Sequence, residues 1–225
     1  MISEAAAIAE QTRLRQQIIT TDQLPDPIQF IAGTDVEYDK ESDLIAGCIA
    51  VMDYKTLEVV EIATHVMHVT FPYIPGLFSF RELPPLLVAW EKLQQKPDLL
   101  VCDGQGMAHP RRFGMASHLG VTIGKPTIGC GKTRLYGNHT ELDIRKGSSV
   151  PLLAEDDNAV IGKVLRTQEG INPVFVSVGH MISLETATNI VLSLAKQYRL
   201  PETTRIADHY GRLALEEYKR NNMTH

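Results

Sequence analysis

Residues 28–69 read IQFIAGTDVEYDKESDLIAGCIAVMDYKTLEVVEIATHVMHV, and this stretch decides the fold. Three runs rich in Val, Ile and Ala, IQFIAGTDVEYD (28–39), DLIAGCIAVMDY (43–54) and LEVVEIATHVMHV (57–69), are separated only by short polar connections. β-Branched runs bounded by charged and turn residues at hairpin spacing predict three consecutive antiparallel strands. Downstream the pattern changes. PPLLVAWEKLQQK (84–96) carries Leu86, Ala89, Trp90 and Leu93 at helical spacing. PDLLVCDGQG (97–106) is a short, continuously apolar run ending in Asp103, as expected for a strand covered on both faces. A helix over FGMASHLGVTIG (113–124) and a strand opening PTIGCGKTRL (126–135) then imply a parallel strand pair. The expected fold is α/β, a mixed sheet flanked by helices. AVIGKVLRT and NPVFVSVG should add a hairpin, and residues 136–158 read as loop. Ser183 can cap a helix to about residue 197, and TTRIADHYGRLALEEYKR reads as the last helix.

The 225 residues carry no repeat or long linker and fit one domain, with an N-terminal amphipathic helix and turn over 1–27 and a tail over 213–225. Hydrophobic residues make up 44%, enough for a sizeable core, and no apolar run reaches the length of a membrane span. The first residues lack the basic start, apolar block and cleavage site of a signal peptide, so a cytoplasmic protein is expected. Cys48, Cys102 and Cys130 match no zinc spacing and read as small buried hydrophobes. A net charge of −5 argues weakly against nucleic acid as partner, unless some carboxylates belong to a metal site.

Asp35 and Asp103 are carboxylates within or at the end of apolar strands. Neighbouring strands could bring them together, where a divalent cation would offset their charge, and hard oxygen ligands select Mg²⁺ or Mn²⁺ over zinc. Alternatively, each caps a strand end and faces water. Glu82 suits a helix N-terminus for dipole reasons alone, or serves as a third ligand. Lys132, just past a strand, either neutralises a phosphate or is solvated. Arg111 and Arg112 could hold phosphates or lie on the surface, and His109 could be a loop histidine or a base contact. His65 and His68, three apart on a strand, point to opposite faces and do not pair on a metal. Asp208 and His209 lie off the stripe of Ile206, Tyr210 and Leu213. In TFPYIPGLFSFREL (70–83), Pro72 and Pro75 bracket Tyr73 and Ile74, a rigid loop that presents side chains in one place.

Several long stretches, AGTDVEYD, TFPYIPGLFSFRE, KPDLLVCDGQGMAHPRRFGMASHLG, PTIGCGKTRLYG, PVFVSVGH and LPETTRIAD, together resemble the endonuclease V family over about residues 28–210. The resemblance implies a ribonuclease H-like fold with a five-stranded mixed sheet. It implies a metal-dependent endonuclease that nicks one DNA strand at the second phosphodiester bond 3′ to deoxyinosine or other deaminated bases. Inosine-containing RNA, or inosine binding without cutting, are the alternatives. It places Asp35, Asp103 and Glu82 on the Mg²⁺ ligand positions, with Mn²⁺ able to substitute. Asp208, or His209 beside it, falls on the fourth acidic or histidine position, and Lys132 on the position facing the phosphate. Pro72, Tyr73, Ile74 and Pro75 match a wedge that fills the gap left by a flipped base. Gly76, Phe78, Gly104, His109, Gly114, Met115 and Leu135 match the base pocket. The chain departs from the family at Phe78, where an aliphatic residue is common, and at Gly131, where alanine is. A monomer is expected.

Overall fold

The computed structural model describes residues 2–222. The three runs of the 28–69 stretch form β1 (Phe30–Tyr38), β2 (Leu44–Asp53) and β3 (Val59–His68), paired antiparallel in sequence order. β4 (Leu99–Asp103) lies parallel to β1, and β5 (Thr127–Gly131) parallel to β4. These five strands, the expected meander and parallel pair, lie in the order β3-β2-β1-β4-β5. The sheet then continues beyond them. β8 (Val174–His180) joins β5 antiparallel, followed by β7 (Val160–Leu165) and β6 (Ser149–Leu153), so eight strands share one sheet. β7 and β8 are the expected second hairpin. β6 falls where a loop was expected. Its sequence, SVPLL, is a short edge strand with a proline, which carries little strand signal.

Strand parity explains the uninterrupted apolar runs. In β4, Leu99 and Val101 face one core with Ile31, Ile128 and Cys130, whereas Leu100 and Cys102 face a second core with Ala32, Ile49 and Val51. The first core is closed by α4 (Leu184–Leu194), with Ser183 capping Thr186 N–H, and by Ile206 of α5 (Glu202–Asn222). The second is closed by α2 (Ser79–Lys92) and α3 (Met115–Ile123) through Leu86, Ala89, Trp90, Met115 and Leu119. All three cysteines are buried and free.

Three helices differ from expectation. α2 begins five residues before Pro84 and runs across both prolines, which puts Glu82 in its first turn. α5 runs to Asn222, two residues past the expected helix, and so takes in most of the 213–225 tail. Its buried face is Thr203, Thr204, Ala207, Gly211 and Leu215; of the expected stripe Ile206 and Tyr210 pack at its edge, and Leu213 is exposed. α1 (Glu4–Arg15) has no apolar stripe and buries Ala7 and the polar Gln11. No described helix is long and apolar enough to cross a membrane.

Candidate active site

Odd-numbered residues of β1 and β4 face α5, so Asp35, Glu37 and Asp103 project to the same side at the carboxyl ends of the two strands. The β1–β4 register sets Thr34 opposite Cys102, which leaves Asp35 beside Asp103. In an open α/β sheet this end of the parallel strands is where ligands bind. α5 comes close because β1 has glycine at position 33. A Cβ there would lie 1.9 Å from the Thr203 carbonyl oxygen. That close approach brings Asp208, in the second turn of α5, over the strand end.

Asp35, Glu37 and Asp208 each offer a carboxylate oxygen, all within 4.8 Å of one another. Three hard oxygen donors at this spacing fit a divalent cation such as Mg²⁺ or Mn²⁺ and disfavour softer metals. Arg212, one turn beyond Asp208, bonds both Glu37 (2.7 Å) and Asp208 (2.8 Å) and holds them in place. Asp103 interacts with Asp35 and forms an ion pair with Lys132, which emerges just after β5.

The electrostatics follow from this crowding. Asp35 is 6% exposed, and its carboxyl is pushed up to about 9, first by burial and then by Asp103. The pair therefore shares a proton near neutrality. Burial alone would lower the Lys132 ammonium, but Asp103, then Asp35 and Asp208, raise it, so it stays charged. Glu82 accepts a hydrogen bond from the Tyr38 hydroxyl at 3.1 Å, and burial pushes it up to about 7.

A cavity of about 290 Å³ opens beside these groups. Glu82, Asp103 and Lys132 line one side of it. Gly76, Phe78, Gly104, His109, Gly114, Met115 and Leu135 line the rest, together with Gln11, Ser79, Gln105, Gly131 and Thr133. Gly131 matters here, because a Cβ would sit 2.0 Å from Nε2 of Gln105, so glycine admits that amide to the cavity wall. At the rim, Tyr73 is 69% exposed and rests on Phe78, with ring centroids 4.9 Å apart. Pro72 and Pro75 are exposed, whereas Ile74 packs inward with Ala7, Phe71 and Leu77.

The endonuclease V family profile matches residues 12–209. The chain belongs to the endonuclease V family. Endonuclease V of Trichormus variabilis is 50% identical over 202 residues, covering 90% of each chain. The crystal structure of Streptomyces avermitilis endonuclease V is 46% identical and superposes with a TM-score of 0.91, covering 97% of this chain and 96% of that one. Endonuclease V of Ciona intestinalis, solved with a 24mer DNA containing an inosine followed by a ribo-adenosine, is 29% identical with a TM-score of 0.81, covering 93% of this chain and 96% of that one.

Within this endonuclease V chain the structure gathers Asp35, Asp103, Asp208 and Lys132 around one strand end, with Glu82 on the cavity wall beside Asp103 and Lys132. His209, the alternative to Asp208, is exposed and meets the Tyr210 ring edge-on, 5.2 Å between ring centroids. Glu37 was missed by the sequence reading. Its signal was present, because it lies two residues beyond Asp35 and so on the same strand face. The Arg pair took neither expected role. Arg112 is buried and bonds Asp156 (2.6 Å) and Asp157 (3.0 Å), and Arg111 turns toward Gly76 and Gln11.

Proposed function

We propose that the chain is a divalent-metal-dependent repair endonuclease that nicks DNA at the second phosphodiester bond 3′ to deoxyinosine, leaving 5′-phosphate and 3′-hydroxyl ends. One observation carries this reading. Asp103, which interacts with Asp35 of the carboxylate cluster, lines a cavity of about 290 Å³ together with Glu82 and Lys132, and an exposed aromatic stands at its rim, the layout needed to hold one unstacked base beside a cutting centre. The inosine-containing DNA bound by the Ciona relative supports the same substrate.

Asp35, Glu37 and Asp208 would hold the cation, with Asp103 a further ligand turned toward Lys132. When bound, Mg²⁺ or Mn²⁺ would polarise the scissile phosphate and make water acidic enough to attack near neutral pH. The side chains supply the rest. Lys132, kept charged by Asp103, would face the developing negative charge at the phosphate. Asp208, at the solvent edge of the cluster, would accept a hydrogen bond from the attacking water and orient it. Glu82, near half-protonation at pH 7, can hold or release a proton on the cavity side of the phosphate. The extruded base would enter the cavity, where the backbone at Gly76, Gly104 and Gly114 could read its edge. Tyr73 would stack in the gap it leaves, and filling that gap offsets part of the few kcal/mol that unstacking costs. All these groups come from one chain, which fits a monomer.

The test is incubation with Mg²⁺ and a defined duplex carrying one inosine, with adenine in its place as control, and inosine-containing single-stranded RNA in parallel. A single nick immediately 3′ to the inosine's 3′ neighbour supports the reading. Binding without a nick, or cutting confined to RNA, overturns it.

A further inference from the structure

The rim loop is held from an unexpected direction. Three donors converge on the carbonyl oxygen of Gly76, the residue that ends the PYIP turn. They are Nε2 of Gln11 at 2.9 Å, Nη2 of Arg111 at 2.7 Å and Nε2 of His109 at 3.0 Å. The histidine can only donate there. Its Nδ1 already accepts from the Arg111 backbone N–H at 3.1 Å, which fixes the neutral tautomer with the proton on Nε2. Burial, and then Arg111, lowers this imidazole to about 4, so it remains neutral in any working buffer.

Gln11 is the keystone of this arrangement. It is 1% exposed, although it sits on α1, outside the stretches that carry the family motifs. Its Nε2 also reaches the Phe113 carbonyl at 3.3 Å, and its Oε1 accepts from Nε of Arg111. The side chain thus ties together α1, the rim loop and the segment leading into α3, and its amide lines the cavity. A buried glutamine with donor and acceptor both satisfied is costly to replace, because each partner would lose a bond.

We propose that Gln11 is a positioning residue for lesion recognition. It locks the Gly76 carbonyl, and with it the Tyr73 loop, at a fixed height over the cavity. This rests on the base-pocket reading above. The alternative is that α1 contributes only packing through Ala7 and Ile8.

Two full-length variants separate these possibilities. Gln11→Ala deletes the amide. Gln11→Glu keeps its size and the acceptor for Arg111 but cannot donate to Gly76. Both should raise KM for an inosine duplex about five- to tenfold, as expected for one lost buried hydrogen bond, with kcat changed less than twofold. Both should also speed hydrogen–deuterium exchange across residues 72–80, while exchange in the β1–β2–β3 meander stays as in the wild type. Wild-type KM and loop exchange in Gln11→Glu would overturn the proposal. So would an equal fall in kcat and kcat/KM with exchange raised throughout the chain, which marks a packing role. If the wild type fails to cut inosine DNA, the function reading falls, but the loop-exchange comparison still decides whether Gln11 holds the loop.

Discussion

Removing the shared proton from the Asp35–Asp103 pair should destabilise the metal-free protein. The Asp35 carboxyl is pushed up to about 9 in the folded chain from an ordinary 3.8. The native state therefore keeps a proton that the unfolded chain has released. A raised folded pKa contributes stability that is fully present below the unfolded value and is lost as pH climbs toward the folded one. Between pH 7 and 8.5 the difference is one proton, or about 1.36 kcal/mol per pH unit, so about 2 kcal/mol is lost over the interval. For a chain of this size that corresponds to a fall in Tm of about 4–8 °C. Asp35→Asn keeps the shape of the protonated acid but cannot titrate, so its Tm should fall less by this amount. The cysteines are common to both proteins, and their contribution cancels in the comparison. Thermal melts in a chelator at four pH values between 7 and 8.5 measure both slopes. Adding Mg²⁺ or Mn²⁺ should flatten the wild-type slope, because cation replaces proton as the partner of the carboxylates. Parallel pH dependences for wild type and Asp35→Asn in chelator would refute the argument that Asp35 and Asp103 share a proton.

Asp35→Ala and Asp103→Ala should each lower inosine-directed cleavage about a thousandfold or more, while gel shift still detects lesion binding; near-normal turnover in either would remove it from the cutting centre. Tyr73→Ala should leave Tm within about 1 °C, since the ring is 69% exposed. It should lower discrimination between inosine and adenine duplexes at least about fivefold, the lower end of what one base–aromatic stack supplies. Unchanged discrimination would remove the wedge role.

What was legible in the sequence, and what was not, follows from how far each signal reaches along the chain. The β1–β2–β3 meander and the buried β4 announce themselves through local apolar runs, and strand parity carries Asp35 and Asp103 to one face without further information. Asp208 and Glu37 were harder. Placing Asp208 requires knowing that α5 crosses β1, and the determinant of that crossing is the absence of a side chain at Gly33. The role of Gln11 could not be read at all. A polar residue in a charged N-terminal helix looks solvated, and its partners lie 65 residues away at Gly76 and 100 away at Arg111. Arg112 misleads for the same reason, because its buried pairing with Asp156 and Asp157 depends on a loop 44 and 45 residues downstream. β6 was missed because an edge strand needs neither alternation nor β-branched residues when its neighbour supplies the register.

The acidic balance of the chain bears on how it could approach a polyanion. Of 27 acidic residues, five are Asp35, Glu37, Glu82, Asp103 and Asp208; setting these aside leaves 22, equal to the 22 lysines and arginines. The whole net charge of −5 is thus the size of the active-site cluster, and the rest of the surface is neutral on average. With the cation absent, the shared proton on the Asp35–Asp103 pair and the raised Glu82 already soften this charge, and Arg212 and Lys132 offset more of it. With divalent cation bound, little remains to repel a phosphate backbone at close range, where screening by salt is weakest. Metal should therefore strengthen DNA binding as well as enable cutting. A charge-neutralised cluster such as Glu37→Gln combined with Asp208→Asn should bind an inosine duplex without metal more tightly than the wild type does. Equal metal-free affinities, measured by fluorescence anisotropy at one salt concentration, would show that the cluster's charge does not govern the approach of DNA.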